Sequence, residues 1–454
     1  MKKNITYLTL GTANIGKLLV QCALPAIVAM LATSLYNVTD SIFIGHSIGV
    51  SALSGLSITF PIMNLGVAFG QLIGVGAGTI LSIKLGQKDY EATNYILGNV
   101  IVLNTIIGIL FSAVLLIFLD PILLFFGASQ QTLPHAHDFM VIILMGNVIT
   151  HMYMGLNSLL RSQGHPKKAM IATFTSILIN LALNHLFIFK FGWSIRGSAF
   201  ATVISQALAL AWQIKIFSSK ANFIHFQKKF FVLNKNIVKE IFSIGLSPFL
   251  LNAATCIIII LINKNLSIYG GDTAVGAYGI VNRVLFIFVM IVLGLTQGMQ
   301  PISGYNYGAG LYKRVNEVLK KTIFIAVSTM TLGSLIVEIF PHAIVSLFTT
   351  DEELIRVTAI GMRYVLMTYC LIGYQTVSIV FFQSIGKANL SIILSVTRQF
   401  IFLIPLLLIL PKYFGVTGVW ITMPISDLAA FITTIILMNC EHKRFKQKQN
   451  DINT

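Results

Sequence analysis

The sequence predicts an all-α integral membrane protein: twelve transmembrane helices in two six-helix lobes related by a parallel internal repeat. Three observations predict it. The 454 residues are 56% hydrophobic and only 10% charged. With a mean hydropathy of +0.84, the chain is too apolar for a water-soluble domain of this length. Twelve apolar runs of bilayer-crossing length follow one another, and the second six repeat the first at an offset of 222 residues.

A crossing takes about 20 apolar residues. Such runs lie at 16–45, 52–83, 93–119, 136–160, 167–189, 197–218, 237–265, 274–305, 315–340, 357–383, 389–411 and 417–438. They are too long and too uniformly apolar for barrel strands, so helices must satisfy the backbone. The N-terminal segment carries two lysines but no small-residue cleavage pattern, so the first run reads as a retained span.

The net charge of +16 does not point to nucleic acid, because no basic patch stands on a soluble domain. It follows the membrane instead. With the N-terminus inside, 23 of the 31 Lys and Arg residues fall in the cytoplasmic segments. Both termini are therefore expected on the cytoplasmic side. The four cysteines, Cys22, Cys256, Cys370 and Cys440, form no metal or redox spacing.

The longest internal basic polar stretch, residues 215–240, joins spans 6 and 7. The domains expected are an N-lobe (1–214), a cytoplasmic linker (215–236), a C-lobe (237–440) and a cytoplasmic tail (441–454). At the 222-residue offset Gly76 meets Gly298, Gly86 meets Gly308, Tyr90 meets Tyr312 and Gly164 meets Gly386. One residue of slip aligns Gly197 with Gly418 and, similarly, Pro25 with Pro248. Six spans repeated in one orientation give parallel repeats, the geometry of alternating access.

Asp40 stands in this apolar setting, about five residues before the outer end of span 1. An intramembrane carboxylate costs about 3 kcal/mol by insertion scales and faces a bundle interior or a wet cavity. There it can exchange a proton or a sodium ion. Tyr36 lies one turn earlier on the same face, and Asn180 and Asn184 share the same i, i+4 relation on span 5. Paired Asn is also an ordinary interhelical hydrogen-bonding device. Pro25 removes a hydrogen bond inside span 1, a kink that reads equally well as static. Phe286, Met290 and Gln297 on span 8, with Phe288 and Met299, offer an adaptable surface for organic ligands. Such residues face lipid just as commonly. Asp427, Glu338, Arg283 and Arg398 are further charges near membrane depth.

The stretches "LPAIVAMLATSLYNVTDSIFIG", "IGVGAGTILSIKLGQKDYEAT", "LLRSQGHPKKAM" and "SILINLALNHLFIFKFGWSIRGSAFATVISQ" resemble the multidrug and toxic compound extrusion (MATE) family. "GLTQGMQPISGYNYGAG" and "GVTGVWITMPISD" continue the resemblance in the second half, which is nearest to the bacterial MepA-like branch. It spans roughly residues 15–440. It implies efflux of organic, often cationic, compounds across a bacterial inner membrane, driven by inward sodium or protons through alternating access. It also implies that Asp40, Asn180, Asn184 and Thr202 surround the coupling ion, with Tyr36 and Asn157 as neighbours. The second position of the span-5 pair is often Asp in the family. Here it is Asn184, which leaves Asp40 the lone carboxylate of the cluster.

The expectation is thus a monomeric secondary antiporter with no cofactor and no metal beyond a sodium ion at the coupling site. Its partners are the lipid bilayer and small organic substrates. The alternative reading is a flippase for a lipid-linked precursor, disfavoured by the count of twelve spans and the few basic residues at depth. An enzyme is disfavoured because the nine histidines show no HExxH-like spacing.

Overall fold

The computed structural model describes residues 7–47, 50–220 and 222–453. The first half contains α1 (Tyr7–Thr12), α2 (Ile15–Ser47), α3 (Val50–Gly86), α4 (Tyr90–Ile117), α5 (Leu119–Phe125), α6 (Leu133–Met145), α7 (Asn147–Ser162), α8 (Pro166–Asn184) and α9 (Ser194–Ser218). The second contains α10 (Lys235–Gly308), α11 (Tyr312–Ile339), α12 (Pro341–Ser346), α13 (Glu352–Leu366), α14 (Tyr369–Ser384), α15 (Ala388–Val396) and α16 (Ile404–Asn453). His185–Lys190 and Thr397–Leu403 wind as π-helix.

Among the described residues eight helices are long and apolar enough to cross a membrane, and two bent pairs bring the number to ten. Two of these ten are double. The 74 residues of α10 would reach about 110 Å, several times a bilayer core. Gly271, at φ 62° and ψ −161°, breaks that helix, and Gly415, at φ 56° and ψ −135°, breaks α16. Both lie in the left-handed region that glycine enters without steric cost. Twelve crossings result.

The internal repeat is visible in the irregularities. The α6–α7 pair bends by 54° and the α13–α14 pair by 50°, and the breaks at Gly146 and Thr368 are 222 residues apart. The short helices α5 and α12 begin at Leu119 and Pro341, again 222 apart.

Two compact units divide the chain: residues 1–12 with 28–249, and 13–27 with 250–454. They depart from the sequence halves at two segments. The first turns of α2 belong to the second unit, and α10 up to Phe249 belongs to the first. Both changeovers, 27/28 and 249/250, fall at equivalent positions of the repeat, two residues beyond Pro25 and one beyond Pro248.

Glycine explains both placements. A Cβ on Gly298 would lie 2.5 Å from the Ala23 backbone, and one on Gly294 2.5 Å from Ile27 Cα. In the other unit a Cβ on Gly76 would lie 2.2 Å from Ile241 O. Without side chains these backbones approach closely, which is how apolar helices associate in lipid.

The central linker packs onto the first unit. Phe223 contacts the rings of Tyr7 and Tyr90, and Phe230 that of Tyr95. Asn99 Nδ2 donates to Val232 O (3.2 Å), and Asn99 Oδ1 accepts from Asn234 N (2.9 Å). The basic stretch is thus anchored through its aromatic residues and backbone.

Candidate coupling-ion site

Three helices of the first unit each offer a polar pair one turn apart: Tyr36 and Asp40 on α2, Asn180 and Asn184 on α8, Ser198 and Thr202 on α9. Each i, i+4 spacing stacks its pair on one helix face. Asn184 closes α8 where the winding changes to the π-turn His185–Lys190. Such π-segments recur at functional sites.

Asn184 Nδ2 donates to Asp40 Oδ1 (2.7 Å) and to Asn180 Oδ1 (2.8 Å). Ser198 Oγ donates to the same Asp40 oxygen at 2.9 Å. Asn180 Nδ2 donates to Thr202 Oγ1 at 3.1 Å. Thr202 Oγ1 gives its own proton to Ser198 O at 3.0 Å. Tyr36 OH, 3.3 Å from Thr202 Oγ1, is therefore the donor in that contact.

Two oxygens are left over. Both donors to Asp40 meet Oδ1, and no described residue donates to Oδ2; buried Asn184 Oδ1 has no partner among the described residues. Asn184 is fully buried and Asp40 is 9% exposed. A buried acceptor without a donor is costly. A hard cation or a proton held beside the carboxylate would satisfy it, so the residues present fit such an ion. No cluster of three or more His, Cys, Asp or Glu side chains suited to a transition metal occurs among the described residues.

The structure thus brings Tyr36, Asp40, Asn180, Asn184 and Thr202 into one network and adds Ser198. Sequence reasoning passed over Ser198, whose one signal was its position a turn before Thr202. Asn157 belongs elsewhere. Its Nδ2 donates to Ala169 O (3.1 Å), its Oδ1 accepts from Arg161 Nη1, and no hydrogen bond links it to the Asp40 network. Pro25 is buried inside α2, which remains helical through it.

The second half has no counterpart of this site. At the slip that aligns Gly197 with Gly418, Ser198 and Thr202 fall on Val419 and Met423, and Asp40 falls on Ile262 at the 222-residue offset or on Asn263 at the slip that aligns Pro25 with Pro248, never on an acid. Ile262, Val419 and Met423 pack in an apolar cluster with Leu403 and Leu407. Among the ion pairs of that half, Arg398 Nε donates to Asp427 Oδ1 (2.8 Å), with Thr368 Oγ1 donating to Asp427 Oδ2 (3.4 Å). Glu338 meets Arg363 at 3.4 Å.

Of the span-8 residues, Phe286 is exposed, and Met290 and Gln297 are half-buried. Met299 is fully buried, and the Phe288 ring packs against Gly333 of α11. Those last two serve the core.

The model of the MatE family matches residues 25–186 and again 244–409. The chain belongs to the MatE family. The two matches coincide with the two halves of the repeat. Among curated relatives, the multidrug export protein MepA of Staphylococcus haemolyticus is 28% identical over 432 residues, 95% of each chain. MepA of Staphylococcus aureus strain NCTC 8325 is 28% identical over 423 residues, 93% of each chain. Among solved structures, the MATE multidrug transporter DinF-BH is 33% identical. Its TM-score is 0.90, with 98% of this chain and 99% of that one covered. A MATE structure in the bent conformation superposes with a TM-score of 0.92 over all of both chains at 22% identity, a likeness of fold. This MatE chain is thus similar along nearly its whole length to proteins named as exporters.

Proposed function

We propose that the protein is a secondary antiporter of the cytoplasmic membrane. It exports small organic cations by alternating access in exchange for inward sodium, with Asp40 carrying the coupling ion. The observation that carries this reading is the buried Asn184 Oδ1, without a partner among the described residues, beside a buried carboxylate that receives both of its donors on Oδ1. The names of the relatives support the export of drug-like compounds. The distribution of Lys and Arg supports an orientation with both termini inside.

Two donors, Asn184 Nδ2 and Ser198 Oγ, hold Asp40 Oδ1 and leave Oδ2 to meet the ion. An empty carboxylate is a charge in a poorly solvated place, and a filled one is neutral. The two states therefore favour different conformations, the differential interaction that coupling requires. Thr202 Oγ1 is occupied by three hydrogen bonds. Its part is to position Asn180, Tyr36 and α9. The amide oxygens beside the carboxylate suit a hard monovalent cation.

A proton on Asp40 Oδ2 is the second reading, supported by the absence of any other carboxylate from the network. The test is ethidium uptake into proteoliposomes under an outward sodium gradient and, separately, an outward proton gradient. Sodium alone should drive accumulation. Accumulation under the proton gradient alone transfers the role to a proton, and none under either gradient overturns the antiport reading.

A further inference from the structure

In the second unit, the first turns of α2 and the third and fourth turns of α11 line an open groove of about 510 Å³. Its walls are Gly16, Leu19 and Val20 on one side and Lys320, Lys321, Phe324 and Ile325 on the other. Both helices start on the side assigned above to the cytoplasm. Lys320 lies eight residues after Tyr312, about 12 Å along α11, and Phe324 is one turn deeper. On α2 the order is the same, Gly16 first and Leu19 and Val20 a turn further in. The groove thus has a basic shallow end and an apolar deep end.

The apolar end is open: Val20 is 56% exposed, Phe324 73% and Ile325 37%. At the basic end Lys321 Nζ is held 2.7 Å from Glu317 Oε1. Lys320 has no acidic partner among the described residues. Gly16 lies beside the basic end, where a Cβ would stand at van der Waals distance, 3.5 Å, from Lys321 Nζ. Nothing in the ion-coupling account uses these residues.

We propose that this groove is a binding site for an anionic phospholipid of the cytoplasmic leaflet. One acyl chain lies along Val20, Phe324 and Ile325, above the buried Leu19, and the headgroup phosphate sits between Lys320 and Lys321. Charge complementarity selects that occupant. Basic pockets between helices at the cytoplasmic surface recognise anionic headgroups, and a zwitterionic lipid would gain only the apolar contact. The ligand would bridge α11 to the part of α2 that packs on Gly294 and Gly298. The leaflet follows from the orientation proposed above, whereas binding in detergent does not depend on orientation or on transport.

The test is native mass spectrometry of the purified full chain in detergent, titrated with phosphatidylglycerol, with phosphatidylcholine and with glycerol phosphate. Phosphatidylglycerol should bind in preference to phosphatidylcholine, and glycerol phosphate should not displace it. The double variant Lys320→Gln, Lys321→Gln should weaken phosphatidylglycerol binding by about thirtyfold, as expected for two lysines at an anionic surface. Gly16→Leu, which fills the groove and keeps both lysines, should weaken it as well. Equal binding of the two lipids, displacement by glycerol phosphate, or unchanged binding in both variants would each overturn the proposal.

Discussion

Asn184 Nδ2 donates to Asp40 Oδ1 across 2.7 Å, joining two helices that start 151 residues apart in the chain. Its second hydrogen goes to Asn180, so the amide is fixed, with its own oxygen left free. An aspartate at position 184 would repel Asp40 instead. The asparagine serves as donor and, through Oδ1, as a second oxygen for an ion.

Ser198→Ala removes one of the two donors to Asp40 Oδ1. A hydrogen bond to a charged group contributes about 1.5–3 kcal/mol. The ion-free protein should therefore melt at a lower temperature than the parent, and added sodium should recover part of the difference. Ser198→Thr keeps the hydroxyl and should recover most of it. Thermal unfolding with and without sodium measures this, and an unchanged melting temperature for Ser198→Ala would remove the bond from the account.

Gly298→Val places a side chain where a Cβ alone would lie 2.5 Å from the Ala23 backbone. The inner part of α2 has to move away. Cys22, 1% exposed, should then react with a maleimide several times faster than in the parent, read at that site by mass spectrometry. Gly298→Ala should give a smaller rise.

Arg398→Gln leaves Asp427, 1% exposed, without its cation. Breaking one side of a buried pair costs about 3–5 kcal/mol. The double variant Arg398→Gln, Asp427→Asn should recover much of that stability. It should also keep ion-driven transport, because the pair is separate from the Asp40 network. Loss of coupling in a well-folded double variant would move a coupling role into the second unit.

His165, at the turn between α7 and α8, has its pKa pushed down to about 4, first by burial and then by the charge of Lys168. The unfolded chain binds this proton near pH 6.5. Its protonation therefore costs stability progressively as pH falls from about 6.5 to about 4. His165→Gln should flatten the fall in melting temperature across that window.

Much of this architecture was legible in the sequence, for a physical reason. Lipid forces each crossing to be a long apolar helix, so runs and basic loops reveal the spans. Acids at depth are few, so Asp40 stands out, whereas the family resemblance singles out Tyr36, Asn180, Asn184 and Thr202 from many polar residues in the spans. What stayed hidden depends on tertiary approach. Serines are common in spans, so Ser198 gains meaning only once its face is seen to meet Asp40. Asn157, expected only as a neighbour of the site, bonds instead to Ala169 and Arg161, partners that its place in the sequence does not announce. Arg398 and Asp427, 29 residues apart, gave no sign of pairing. The allotment of α2's first turns to the second unit rests on Gly294 and Gly298, whose meaning appears only when the backbone they meet is known.

The most direct test of the central claim is ion flux itself. Radioactive sodium uptake should be measured in proteoliposomes preloaded with ethidium, for the parent and for Asp40→Asn, a substitution of nearly equal shape. The account predicts sodium entry that requires ethidium inside, and its loss in Asp40→Asn while the variant stays folded by thermal unfolding. Undiminished ethidium-dependent sodium entry in the folded variant would contradict the assignment of Asp40 as the carrier of the coupling ion.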